Sequence, residues 1–185
     1  MRSRRRGCHS SRPTRATRIR ARFFYHYGQD KAPIDEAAYR NARRGYYGMI
    51  AYVDDIVGRL MHALVETGVE DKTTVLFTSD HGDMIGERGM WFKKTLFEPA
   101  IQVPLIIHSP GRFGPSRVVA PVSLIDILPT LNEIAGGAAQ DFPVAIDGES
   151  LLPLLEGAST ARHGVIAEHI DGATLAPRIM LRQGR

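Results

Sequence analysis

Apolar side chains recur at Tyr39, Ala42, Tyr46, Ile50, Val53, Val57, Leu60 and Leu64. Steps of three and four keep them on one face of a helix. Pro33-Ile34-Asp35-Glu36 precedes this stripe. Asp35 is the expected N-cap, because its carboxylate can accept from the free amides of the first turn. Thr67-Gly68 follows, with Gly68 where a left-handed residue closes a helix. The period then changes. Residues 73–78 are all β-branched or apolar, as expected of an interior parallel strand covered on both faces. Residues 80–99 are rich in glycine and charge and read as an active-site type of loop. Residues 103–108 predict a second strand, 109–116 a turn-rich connection, and 124–135 a short helix closed by Gly136-Gly137. A helical turn at 151–155 and short strands at 165–168 and 179–182 complete the pattern. Strands alternating with helices predict an α/β fold with a mostly parallel sheet.

The first strand ends on Ser79-Asp80-His81-Gly82-Asp83. In α/β sheets, chemistry gathers outside the carboxyl ends of the strands. Asp80 supplies a hard carboxylate and His81 an imidazole suited to a metal or a substrate oxygen, while Gly82 permits a sharp turn. A turn-capping Asp beside a surface His is the plain alternative, and the position after a buried strand favours function. Trp91-Phe92-Lys93-Lys94 sets cations against aromatic bulk. Glu168 follows an apolar strand, as Asp80 does. Asp83, Glu87 and Arg88 are expected to brace the loop through salt bridges or hydrogen bonds. Glu98 is expected to pack or cap, Asp126 to cap or stabilise its helix, and the strand-end His108 to be a satisfied structural residue.

Composition narrows the class. At 185 residues the chain can bury one core. A single cysteine rules out an internal disulfide framework and fits a reducing, cytoplasmic setting. No run of 18 apolar residues occurs, so no membrane span is expected. The net charge of +4 is unevenly placed. The arginines from Arg2 to Arg22 all precede the first acidic residue, Asp30, and the rest of the chain is slightly acidic. Residues 1–24 therefore read as a basic, disordered arm that lacks the apolar core of a secretory signal. Such arms suit nucleic acid or anionic lipid. Nothing aromatic or helical organises these arginines into a site, so nucleic-acid binding is not the expected role. A non-catalytic interaction protein built on the arm is the rival class, and strongly salt-dependent DNA binding would mark it.

The string Ser79-Asp80-His81-Gly82-Asp83-Met84-Ile85-Gly86-Glu87-Arg88-Gly89, then Trp91-Phe92-Lys93, resembles the second metal-binding segment of type I sulfatases in the alkaline phosphatase superfamily. The helix bearing Tyr46-Tyr47-Gly48 through Tyr52-Val53-Asp54-Asp55 is similar to that of choline sulfatases. The likeness runs from about Tyr25 to the last residue. It implies a partial α/β/α sandwich of the sulfatase and alkaline phosphatase-like type, with residues 25–185 forming part of a catalytic domain.

The resemblance also implies hydrolysis of a small-molecule sulfate ester, choline sulfate among them, to an alcohol and sulfate. Asp80 and His81 would ligate a divalent cation, usually calcium. Two adjacent aspartates nearer the family's N-terminus supply further ligands; Asp54-Asp55 do not match them, since they sit within a helix. Lys93 is implied as the catalytic and substrate-binding cation, set against the ester oxygens where charge develops. Glu168 is implied as a partner for a quaternary ammonium group. The family nucleophile is a formylglycine made from the cysteine of Cys-x-Pro-Ser-Arg. Here the only cysteine gives Cys8-His9-Ser10-Ser11-Arg12, which lacks the proline and has no strand before it, so Cys8 takes no role. The chain is thus expected to be an incomplete and inactive fragment of such an enzyme. Phosphonate monoester hydrolases and phosphodiesterases share the metal segment and are the alternative activities. Family members are often oligomers.

Overall fold

The computed structural model describes residues 34–138, 141–158, 164–170 and 177–183. The basic arm and Cys8 lie outside the described residues. Helix α1, Glu36–Glu66, begins where the sequence predicts: Asp35 is its N-cap, and the side chain accepts from the Ala38 amide at 2.7 Å. It ends on Thr67, followed by Gly68 at φ 67°. Its 31 residues make a rod roughly 45 Å long. Tyr39, Tyr46, Val57 and Leu64 of the predicted stripe are half-buried, whereas Ile50, Val53 and Leu60 remain exposed.

Strand β1 is Val75–Thr78. A short hairpin follows, formed by β2 (Met84–Ile85) and β3 (Trp91–Phe92). Then come the one-turn helix α2 (Glu98–Ile101) and strand β4 (Leu105–His108). The predicted loop at 80–99 therefore carries its own hairpin. Helix α3, Ile127–Ile134, is preceded by a 3-10 turn at Leu124–Asp126. The one-turn α4 (Leu152–Leu155) leads on to the hairpin β5 (Val165–His169) and β6 (Arg178–Arg182).

The expected parallel sheet is not found among the described residues. β1 pairs antiparallel with β4, with Val75 opposite His108 and Thr78 opposite Leu105, and the other two strand pairs are also antiparallel. The reason lies in the connection. Parallel neighbours need a crossover, usually a helix of a dozen residues, to carry the chain back along the sheet. Residues 79–104 contain only a small hairpin and a one-turn helix, so the chain reverses at the strand end and returns alongside β1. β1 is accordingly half-buried rather than covered on both faces.

Two centres of burial hold the structure. Met84, Met90 and Ala100 form a core beneath the strand-end loop, with Phe97 packed against it. The second is polar at its heart. Asp126, 3% exposed, accepts from the Ser123 amide at 2.8 Å and the Glu149 amide at 2.9 Å. Thr130 donates to the Asp126 carbonyl at 2.6 Å and accepts from the Leu151 amide at 2.8 Å. Gly148 passes so close that an added Cβ would lie 2.1 Å from the Ile125 carbonyl oxygen. Asp126 thus joins two segments as well as capping its helix. No described helix is long and apolar enough to cross a membrane.

Asp126→Ala would remove the acceptor of two half-buried amides and leave a gap at a buried position, and an unmet buried donor costs about 1–3 kcal/mol as an upper bound for each. A fall in thermal midpoint, larger than that of the exposed Asp54→Ala, is the expected result by circular dichroism. Gly58 lies within α1, and an added Cβ would meet nothing within 4 Å. Gly58→Ala should stabilise the chain by about 0.5–1 kcal/mol through helix propensity alone, read in a urea titration.

Candidate active site

The strand-end cluster is assembled by backbone contacts first. As β1 ends, the Ser79 hydroxyl donates to the His81 carbonyl at 2.8 Å, and the Asp80 carboxylate accepts from the His81 amide at 2.9 Å. The Gly82 amide donates to the Ala100 carbonyl at 2.9 Å. A Cβ on Gly82 would lie 2.1 Å from the Pro99 carbonyl oxygen, so glycine is required here for close approach of two backbones. This is a tighter constraint than the turn predicted from sequence.

His81 is held by its ring as well as by its backbone. Its Nδ1 lies 2.9 Å from the Gly82 carbonyl oxygen. Only an N–H can face a carbonyl, so Nδ1 carries a proton and Nε2 is the ring nitrogen turned away from the backbone. A backbone carbonyl on Nδ1–H is a common way to orient an imidazole whose Nε2 meets other groups. Nε2 lies 3.2 Å from Asp80 Oδ2 and is met by the Lys93 ammonium. Asp80 is 80% exposed as a side chain and His81 31%. The pair therefore adds little to stability, and its oxygens are open to a ligand.

Lys93 reaches His81 because of the hairpin. Met84 pairs with Phe92 and Ile85 with Trp91, and Phe92 sits at φ 70°, a left-handed conformation rare for an aromatic residue. Glu87 braces this hairpin as expected. Its Oε2 accepts from the Ile85 amide at 2.7 Å and its Oε1 from Arg43 at 3.1 Å. Burial pushes the Glu87 carboxyl up. Hydrogen bonds from its own amide and that of Ile85, with the Arg43 guanidinium, outweigh burial and hold it below the usual carboxylate range. The Arg88 guanidinium lies 4.4 Å from the Phe97 ring centroid. Burial, and then the charge of Asp83, raise Tyr46 above the ordinary phenol value.

The structure therefore brings Asp80, His81 and Lys93 together. Glu168 stands apart from them. It lies on β5 opposite Ile179, exposed, and shares no hydrogen bond or ion pair with the trio among the described residues. The hairpin that bears it is tied back through Arg182 and Glu98, which gives Glu98 its structural role. His108 departs from expectation: its buried Nε2 has no hydrogen-bond partner among the described residues. Sequence reasoning missed Arg43, a charged residue set within the striped face among other arginines. As donor types, Asp80 and His81 fit a divalent cation. In number they fall short, since calcium takes 6–8 oxygen ligands. No group of three or more His, Cys, Asp or Glu able to hold a metal occurs among the described residues.

A strand-end Asp-His pair, a lysine folded back onto it and a long capped helix behind them are set on a mixed α/β framework. The sequence profile described as Sulfatase matches residues 6–138, and the chain belongs to the sulfatase family. It is 40% identical over 152 residues to the choline-sulfatase of Rhizobium meliloti (strain 1021), covering 82% of this chain and 29% of that protein. It is 43% identical over 124 residues to arylsulfatase K of Danio rerio, covering 67% of this chain and 23% of the relative. Among solved structures, the phosphonate monoester hydrolase SpPMH from Silicibacter pomeroyi superposes with a TM-score of 0.73 at 31% identity, over 82% of this chain and 31% of that one. The chain thus spans less than a third of the length of these proteins.

The depressed Glu87 carboxyl has a pH consequence. Its contribution to stability is fully present above the ordinary glutamate value and is lost as pH falls through the lower, folded value. Wild type should melt higher than Glu87→Gln at pH 7, and the gap should close below about pH 4. A gap that stays constant from pH 7 to pH 3 would contradict this assignment.

Proposed function

We propose that this chain carries one half of the active site of a sulfuric ester hydrolase, and that the whole protein cleaves a small sulfate ester of the choline sulfate kind. The convergence of Asp80, His81 and Lys93 at the end of β1 supports this reading most strongly. Asp80 and the Nε2 of His81, once Lys93 turns to the ester, are the protein's own donors to a divalent cation, calcium by preference for hard oxygen ligands. Such a cation, with a formylglycine nucleophile elsewhere in the whole protein, would supply the polarisation and the attacking oxygen. The residues of this chain do the rest. Asp80 presents its carboxylate to solvent, Gly82 anchors the proton on Nδ1, and Lys93 places a positive charge against the ester oxygens. A fixed cation where negative charge develops favours departure of the alcohol. Glu168 is the proposed partner of the quaternary ammonium group; that role asks for carboxylate and aromatic surface around the cation.

Phosphonate ester hydrolysis is the second reading, favoured by the likeness to SpPMH. Both esters present a monoanion to Lys93 and differ in the atom attacked and its substituents, so turnover of choline sulfate and of a phosphonate monoester by the whole protein separates them.

Two donors leave a cation weakly held. Calcium added to the 185-residue chain should shift the amide and ring signals of Asp80 and His81 in heteronuclear NMR, with a dissociation constant on the order of millimolar or weaker. Asp80→Ala should remove those shifts. The chain alone should not hydrolyse choline sulfate. Absence of any calcium-dependent change at Asp80 and His81 would overturn the metal reading. Turnover abolished by Asp80→Ala would overturn the view that the site needs more protein.

A further inference from the structure

Arg43 lies one helical turn beyond Tyr39 and one before Tyr47, so the three share a face of α1. Its Nη1 reaches the Tyr39 hydroxyl at 3.0 Å, Glu87 Oε1 at 3.1 Å and the Ile85 carbonyl at 3.4 Å, while Nη2 donates to the Tyr47 hydroxyl at 3.1 Å. One planar fork thus joins the helix to both polar faces of the hairpin turn. Tyr39 grips the other side of that turn. Its ring lies where a Cβ of Gly86 would be, 2.0 Å from that position, and Gly86 holds φ 105°. Tyr39 also meets Trp91 edge-on, with centroids 5.7 Å apart.

The hairpin needs such a clamp. Each of its strands has two residues, and two-stranded hairpins are marginal in water even when longer. Its last residue, Phe92, is left-handed, and Lys93 follows directly. The direction of Lys93 is therefore set by the hairpin's seat on α1. Asp80 and His81 are held by different contacts, those to Ser79, Gly82 and Ala100.

We propose that Arg43 is a positioning residue: acting through Glu87, it seats the β2–β3 hairpin on α1 and so delivers the Lys93 ammonium to His81. This rests on the reading of Lys93 and His81 as one site. It adds that a guanidinium on the helix, in contact with neither, decides whether they meet.

The test is made on the 185-residue chain by NMR. In wild type, cross-peaks should join the Lys93 ε-methylene to the His81 ring. Arg43→Met should weaken them at least fivefold and speed exchange of the Ile85 amide at least tenfold. The calcium shifts of Asp80 and His81 should stay unchanged, a split that general unfolding would not produce. Glu87→Gln keeps the shape and removes the charge, and should give a smaller change in the same direction; it also serves if Arg43→Met fails to fold. Arg40→Met removes only an exposed ion pair with Glu36 and should change none of these. Full retention of the Lys93–His81 cross-peaks in both Arg43→Met and Glu87→Gln would overturn the proposal. Loss of calcium response in wild type with the cross-peaks intact would sink the metal reading and leave the positioning role standing.

Discussion

Everything at this site follows from one constraint: the chain must leave β1 at Ser79 and return antiparallel beside it at Leu105. A reversal over residues 79–104 cannot run along the sheet, so it folds up at the strand end. The contact that closes it is the Gly82 amide on the Ala100 carbonyl, at a separation no side chain would tolerate. Beneath that contact Met84, Met90 and Ala100 bury themselves, and above it Asp80 and His81 stay open. The same segment sets the Gly82 carbonyl against Nδ1 of His81. Fold, core and chemistry therefore meet in one short segment.

Much of this was legible in the sequence, and the reasons are local. Asp35 and Gly68 bracket α1 because capping depends on the residues at the ends themselves. The strand and its terminal Asp-His stand out because burial and chemistry change within two residues. The sequence marks Asp126 as a residue that caps or stabilises its helix, but not its bond to the Glu149 amide, which joins segments far apart in sequence. Strand direction was not legible, since it is set by whether the connection contains a crossover helix, and that is a property of the path. Arg43 was not legible either. Its neighbours Arg40 and Arg44 are chemically identical and exposed, and only the helix phase turns Arg43 toward Glu87. The orphaned Nε2 of His108 has no sequence signature, because burial of a single atom depends on packing.

Membership of the sulfatase family gives the local geometry a context without supplying it. The chain spans less than a third of its relatives, yet the Asp80–His81–Lys93 cluster forms within it. That separation has a physical basis. Placement of the cluster depends on hydrogen bonds between residues close in sequence and on one clamp to α1. On the proposed metal reading, further donors must come from elsewhere.

The exposed apolar residues point the same way. Ile50, Val53 and Leu60 carry helical spacing, and Ile166, Ile179 and Leu181 share one face of the β5–β6 hairpin, yet all six are exposed. A regular apolar stripe left in water lowers stability and marks a surface made to be covered. The half-buried part of α1, at Tyr39, Arg43 and Tyr46, is the part that holds the site loop. The helix thus has two jobs divided along its length. Its first turns seat the hairpin through aromatic and guanidinium contacts, and farther along the same face Ile50, Val53 and Leu60 offer apolar surface. Because the clamp draws only on the first turns, positioning of Lys93 does not wait on burial of the rest of the helix.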